Sequence, residues 1–102
     1  MADQGLQIIK LIDYSTKFGP RVLGIEIKEK VLGILKKYPT TVIVFDFKEV
    51  EYISTGFSKE LFGELWRILG NDFKSHIKFK FYDNKEIIIS SIIKGIESID
   101  KS

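Results

Sequence analysis

Two hydroxyl side chains, Ser54 and Thr55, stand just before a run of residues with helical spacing. Serine and threonine are preferred at the first position of a helix, because their oxygen accepts a hydrogen bond from a free backbone N–H. A phosphate on such a hydroxyl would also be stabilised by these N–H groups and by the positive end of the helix dipole. The residue types favour a helix cap and leave phosphorylation open as the alternative.

Arg21 is predicted to lie in the first turn of another helix, where the helix dipole disfavours a cation. It could face an anion, such as a carboxylate or a phosphate brought to the same edge of the protein. Alternatively, it is solvated or forms an internal ion pair, for instance with Asp46 or Asp13. The residue type slightly favours the second arrangement and leaves both open.

Asp46 interrupts an apolar segment and could in principle accept a phosphoryl group. That chemistry needs further acidic side chains to hold a magnesium ion, and only Asp13 follows the first predicted strand. We therefore expect Asp46 to accept hydrogen bonds from loop backbone near the end of its strand.

The chain lacks the residues that other catalytic arrangements need. His76 is the single histidine and the chain has no cysteine, which leaves neither a metal-ligand set nor a nucleophile–histidine pair. Gly19, Gly24 and Gly33 are too scattered for a nucleotide-binding loop. The sequence therefore predicts no enzyme, no cofactor and no metal site.

Composition places the chain among ordinary soluble proteins. Its 102 residues suit one domain, and 44% hydrophobic with 29% charged residues exclude extensive disorder. A net charge of +2 gives no reason to expect a nucleic-acid partner. The longest apolar run, Val42 to Phe45, is far too short to span a membrane, and the N-terminus shows no secretion signal. We expect a cytoplasmic protein without a membrane partner.

Hydrophobic periodicity predicts strands alternating with helices. Strands are expected at 6–12, 41–47 and 77–82, and the nearly continuous apolar run of 41–47 predicts a central strand. The first helix starts near Pro20, the apolar stripe of the second helix starts at Phe57, and the third helix follows an acidic cap at Asp83. The order βαβαβα implies an α/β fold with a mostly parallel sheet packed by helices, in a single domain covering residues 5–100. Residues 13–19 are expected to form a polar loop.

The predicted sheet also fixes which side chains should be buried. Side chains alternate along a strand, so Ile43 and Phe45 should share one face of the sheet, with Val42 and Val44 on the other. The helices should bury apolar residues against the sheet, namely Leu23, Ile27, Leu61, Leu65, Ile89 and Ile93.

In a parallel sheet, ligands gather where the strands end and the following helices begin. Three segments are expected to meet at this edge: residues 18–21, 53–57 and 82–84.

The segment from Val44 to Phe57 resembles the strand–loop–helix of STAS domains, the fold of anti-sigma factor antagonists and of sulfate-transporter tails. Their pattern is an apolar strand ending in Asp and an apolar residue, a short turn, and a hydroxyl-bearing helix start. The whole chain, over roughly residues 6–97, is most similar to a small prokaryotic STAS-like family of unassigned function. The matching positions are Gly19-Pro20-Arg21, Asp46-Phe47, Val50, Ile53-Ser54 and Phe57-Ser58-Lys59-Glu60-Leu61.

This resemblance implies a regulatory module whose partner is a histidine-kinase-like ATPase or an anti-sigma-type regulator. The implied contact is the start of the second helix, where Glu60 also offers a charged group. The binding residues are expected to be Arg21, Ser54, Thr55, Gly56, Phe57 and Lys59. The alternative is a domain that binds a small molecule or an anion at the same edge. The oligomeric state is left open.

One position departs from the family pattern. Aligned without gaps, Gly56 falls where anti-sigma factor antagonists carry the serine that becomes phosphorylated. Glycine has no hydroxyl, so phosphorylation would have to move to Ser54, Thr55 or Ser58. We expect instead that the hydroxyls cap the helix and that the turn carries no constitutive phosphate.

Overall fold

The chain folds into a layer of helices on a parallel β-sheet. The computed structural model describes residues 5–14, 17–18 and 21–100. In chain order, the elements are β1 (Leu6–Lys10), β2 (Lys17–Phe18), α1 (Arg21–Lys37), β3 (Val42–Asp46), β4 (Tyr52–Ile53), α2 (residues 55–69), the single-turn α3 (Phe73–His76), β5 (Ile77–Lys80) and α4 (Lys85–Asp100).

The main sheet has three parallel strands in the order β1-β3-β5. The most apolar strand, β3, is in the middle, as its sequence predicts, because a central strand has no edge exposed to water. Ile43 and Phe45 are completely buried on one face, whereas Val42 and Val44 on the other are half-buried. The α/β fold and the alternation along β3 are therefore confirmed.

The helices cover one face of this sheet. Phe62 of α2 lies at the centre of the core, with ring centroids 5.1 Å from Phe45 and 5.4 Å from Phe79. On the opposite face, Leu6 and Ile8 of β1 are each more than half exposed. Over the described residues, the protein is thus a two-layer structure with one open sheet face.

A second, two-stranded parallel sheet pairs β2 with β4. The sequence predicts a loop where β2 lies, because a strand of two residues is too short to show alternation. Lys17 pairs with Tyr52 and Phe18 with Ile53. The chain segments that leave β1 and β3 therefore run side by side again before each enters its helix. Gly19 and Pro20 lie outside the described residues.

Helix α2 contains a wide turn. It is α-helical over Thr55–Ser58, a π-helix over Lys59–Gly63 and α-helical again over Glu64–Leu69. It begins at Thr55, directly after Ser54, which is one of the two hydroxyl residues that the sequence offers as its cap. Single π-turns within α-helices are uncommon and occur often at functional sites.

Helix α4 is rotated relative to the prediction. Ile88 and Ile92 are buried, whereas Ile89 is half-buried and Ile93 is 48% exposed. Gly95 explains the rotation, since a Cβ atom there would lie 2.7 Å from the Ser58 carbonyl carbon. Only glycine allows this close approach to α2, and Ile88 and Ile92 lie on the same side of the helix as Gly95.

The other predicted core positions of the helices are mostly correct. Ile27, Leu61 and Leu65 are completely buried, whereas Leu23 is half-buried. Within the described ranges, none of the helices combines the length and the apolar character needed to cross a membrane.

Candidate functional site

The pairing of β2 with β4 brings the starts of two helices together. Phe18 is the register partner of Ile53, and three residues further along each segment are Arg21 and Gly56. The side chain of Arg21 lies against Gly56, where a Cβ atom would be 3.0 Å from Arg21 Cγ. Of the three segments expected at one edge, these two do meet.

Arg21 forms an internal ion pair. Its Nη2 donates a hydrogen bond of 2.5 Å to Glu60 Oε2, and the exposed fractions of the two side chains are 63% and 18%. The expected partners Asp46 and Asp13 are therefore wrong, because the arginine extends across Gly56 along α2. Glu60 follows Gly56 by four residues, a spacing that places the two on one side of a helix.

Ser54 caps α2, and it is one of the two hydroxyl residues, with Thr55, that the sequence offers for this role. Its Oγ accepts a hydrogen bond of 3.0 Å from the Phe57 N–H, and its backbone is extended (φ −76°, ψ 160°). Thr55 is the first helical residue and is exposed. The Ser54 hydroxyl therefore pairs with a free N–H at the helix start, whereas the Thr55 hydroxyl faces solvent.

Two predicted site residues lie in the interior. Phe57 is completely buried, and its ring meets that of Phe62 edge-on at 6.4 Å. Ser58 is also completely buried, and its Oγ has no hydrogen-bond partner among the described residues. The sequence predicted both residues at the site, and for both the prediction is wrong for the same reason. Phe57 and Ser58 lie on the side of α2 that packs against the rest of the core. Neither can contact a partner or a kinase in the folded state.

The accessible remainder forms one polar surface. Thr55 and Lys59 are four residues apart, as are Gly56 and Glu60, so the two pairs lie in neighbouring rows on α2. Arg21 lies over the second row. We call these five residues, Arg21, Thr55, Gly56, Lys59 and Glu60, the helix-start surface.

The third predicted segment, residues 82–84, has a different role. The Asn84 side-chain amide donates to the carbonyl oxygens of Phe47 and Val50, at 3.1 Å to the first. Asp46 Oδ1 accepts a hydrogen bond of 2.9 Å from the Lys48 N–H, the loop contact that the sequence predicts. Together they fix the turn after β3, in which Glu49 has φ 66°.

A mixed-charge cleft of about 450 Å³ opens at the carboxyl ends of the strands. Its lining includes Lys10 and Lys80, which flank Asp46 in the strand register. Over residues 5–14, 17–18 and 21–100, no three His, Asp or Glu side chains are grouped so that they could hold a metal ion. His76 Nδ1 hydrogen-bonds the Thr41 carbonyl oxygen at 2.9 Å.

Comparison with protein families agrees with this architecture. The family model of the STAS-like domain of unknown function, DUF4325, matches residues 24–86, which is more than half of the chain. The chain belongs to this STAS-like family. No curated protein and no solved structure matches it.

The STAS-like match includes both rows of α2 that carry the helix-start surface and the Asn84 that fixes the β3 turn. Arg21 lies three residues before the matched region. The resemblance noted from the sequence is thus confirmed at the level of the family and of the α/β fold.

Proposed function

We propose that this STAS-like domain is a non-enzymatic regulatory module that binds a partner protein through the helix-start surface. By resemblance to anti-sigma factor antagonists, the partner is a histidine-kinase-like ATPase or an anti-sigma-type regulator. The proposal places Arg21, Thr55 and Lys59 in direct contact with that partner.

The observation that carries the proposal is the position of Arg21 across Gly56. The arginine belongs to α1, whereas Gly56 and Glu60 belong to α2, so one side chain joins two helix starts into a continuous surface. Arg21 remains 63% exposed while it is held by Glu60. A charged side chain that is both accessible and fixed loses little conformational entropy on binding.

The same ion pair favours a protein over a free anion. The Arg21 guanidinium already binds a carboxylate, so a phosphate or sulfate would have to displace Glu60. A protein surface can instead offer hydrogen-bond donors to Glu60 and carboxylates to Lys59. It can also contact Thr55. We therefore favour the protein-binding function over the anion-binding alternative.

Phosphorylation is not part of the proposal. Ser58 is buried, Ser54 Oγ accepts the cap hydrogen bond, and Gly56 has no hydroxyl. Thr55 is the exposed hydroxyl of this turn. Intact-mass measurement of the protein from its native host should give the unmodified mass, and a stoichiometric phosphate on Ser54 or Thr55 would contradict this.

Quantitative affinity capture tests the proposal. The wild-type chain should capture one of the two partner classes, and Arg21→Ala and Lys59→Glu should each reduce capture about tenfold or more, as for contacts near an interface centre. Lys36→Glu, an exposed change at the far end of α1, is the matched control and should leave capture unchanged.

A second measurement separates the alternative. The melting temperature should not change with phosphate, sulfate or ATP, because ligands raise it only by binding the native state. A rise that Arg21→Ala abolishes would overturn the protein-binding proposal in favour of an anion site.

A further inference from the structure

The outer side of α4 carries apolar residues that the rest of the described chain leaves uncovered. Ile93 is 48% exposed, although Ile88 and Ile92 on the inner side are buried. A shallow depression of about 460 Å³ follows this outer side, lined by Lys85, Glu86, Ile89, Ser90, Ile93, Lys94 and Glu97.

These residues form two parallel rows with a spacing of four. The first row reads Lys85, Ile89, Ile93, Glu97, and the second reads Glu86, Ser90, Lys94. Residues four apart are neighbours on a helix surface, so each row is a continuous line of side chains. Each row has opposite charges at its two ends and uncharged residues between them.

Each row is complementary to a second copy of itself that runs in the opposite direction. A second α4 laid antiparallel, with a two-fold axis near Ser90 and Ser91, places Lys85 opposite the partner's Glu97. It also places Glu86 opposite the partner's Lys94 and Ile89 opposite the partner's Ile93. A two-fold interface must be self-complementary in this way, because the same patch is used by both subunits.

The charges are available for such pairing. Among the described residues, no ion pair within 4.0 Å involves Lys85, Glu86, Lys94 or Glu97. Lys85 lies in the first turn of α4 and Glu97 in the last, and no basic residue lies in that last turn. Both charges therefore oppose the helix dipole, so α4 by itself does not account for them.

We propose that the outer side of α4 is the interface of a symmetric homodimer in which two copies of this helix pack antiparallel. The central contact is Ile89 and Ile93 against the same pair in the other copy, with four ion pairs at its border. Because one helix pair buries less than a standard protein interface, the dimer should be weak and concentration-dependent.

Charge exchange between two variants tests the arrangement. Lys85→Glu alone puts two carboxylates opposite each other at both ends of the dimer, and Glu97→Lys alone puts two ammonium groups there. Sedimentation velocity should show dimers of the wild type and dissociation constants about tenfold higher for each variant. An equimolar mixture of the two variants should dimerise again, since each end of the mixed dimer joins a glutamate to a lysine.

Loss of folding cannot produce this pattern. Both substitutions bring the charge at their helix end into agreement with the dipole, so the melting temperature of each variant should equal or exceed that of the wild type. Lys36→Glu and Glu26→Lys, exposed changes on α1, are the matched controls and should leave dimerisation unchanged. A wild type that stays monomeric at millimolar concentration, or a dimer that neither variant weakens, would overturn the proposal.

Discussion

The Arg21 side chain lies over Gly56, with its Cγ 3.0 Å from the point that a Cβ atom of residue 56 would occupy. This contact leaves little room for a side chain at residue 56 while Arg21 keeps its position. A larger residue would push the arginine stem outward, away from the path that leads its guanidinium to Glu60. The glycine at position 56 and the path of the Arg21 side chain to Glu60 are therefore coupled.

Replacement of Gly56 by alanine should show this coupling. Alanine is favoured over glycine in helices by up to about 1 kcal/mol, but here the new methyl group would press on Arg21. We expect Gly56→Ala to change the free energy of unfolding by less than about 0.5 kcal/mol in the wild type, and to raise it by about 0.5–1 kcal/mol in an Arg21→Ala background. Urea unfolding of the four proteins measures the difference, and equal effects in both backgrounds would contradict the contact.

The cap of α2 should depend on one hydroxyl only. Ser54→Ala removes the acceptor for the Phe57 N–H and should lower the free energy of unfolding by about 1 kcal/mol. Thr55→Ala, the neighbouring control, should stay within about 0.5 kcal/mol because Thr55 is exposed. Thermal or urea unfolding measures the loss of stability for each variant. A larger loss for Thr55→Ala than for Ser54→Ala would show that Thr55, and not Ser54, caps the helix.

Replacement of Ser58 by alanine should stabilise the protein. Its buried Oγ has no hydrogen-bond partner among the described residues, and an unpaired buried hydroxyl costs about 1 kcal/mol or more. We therefore expect Ser58→Ala to raise the free energy of unfolding by about 1 kcal/mol. Calorimetry provides the measurement. Destabilisation by this change would mean that the hydroxyl has a partner, such as a bound water molecule.

Asn84 should be essential for the turn after β3. Asn84→Asp replaces an amide that donates to two carbonyl oxygens with a carboxylate that repels both. The free energy of unfolding should fall by about 2 kcal/mol, because two donors are lost and a charge is placed against acceptors. Asp83→Asn, an exposed change beside it, serves as the control. Similar small effects of both changes would show that the turn holds without Asn84.

Local sequence patterns were enough to predict the class of the fold and several details of the site. The β-branched and aromatic run of β3 placed that strand at the centre of the sheet, and the alternation along it fixed which side chains are buried. Ser54 and Thr55 were identified as candidate caps, of which the structure uses Ser54, and Asp46 was identified as an acceptor for loop backbone. These features depend on neighbours in the chain, so local spacing is enough to predict them.

Contacts between side chains that are distant in the chain could not be predicted in this way, because they depend on how the elements pack. The pairing of β2 with β4 is too short to leave a pattern, yet it brings Arg21 to Gly56 and so selects Glu60 over Asp46 and Asp13. The isoleucines of α4 surround so much of the helix that their spacing fits several rotations. The close contact of Gly95 with Ser58 selects one of them and leaves Ile93 exposed, because steric contact between helices is a property of the packed chain.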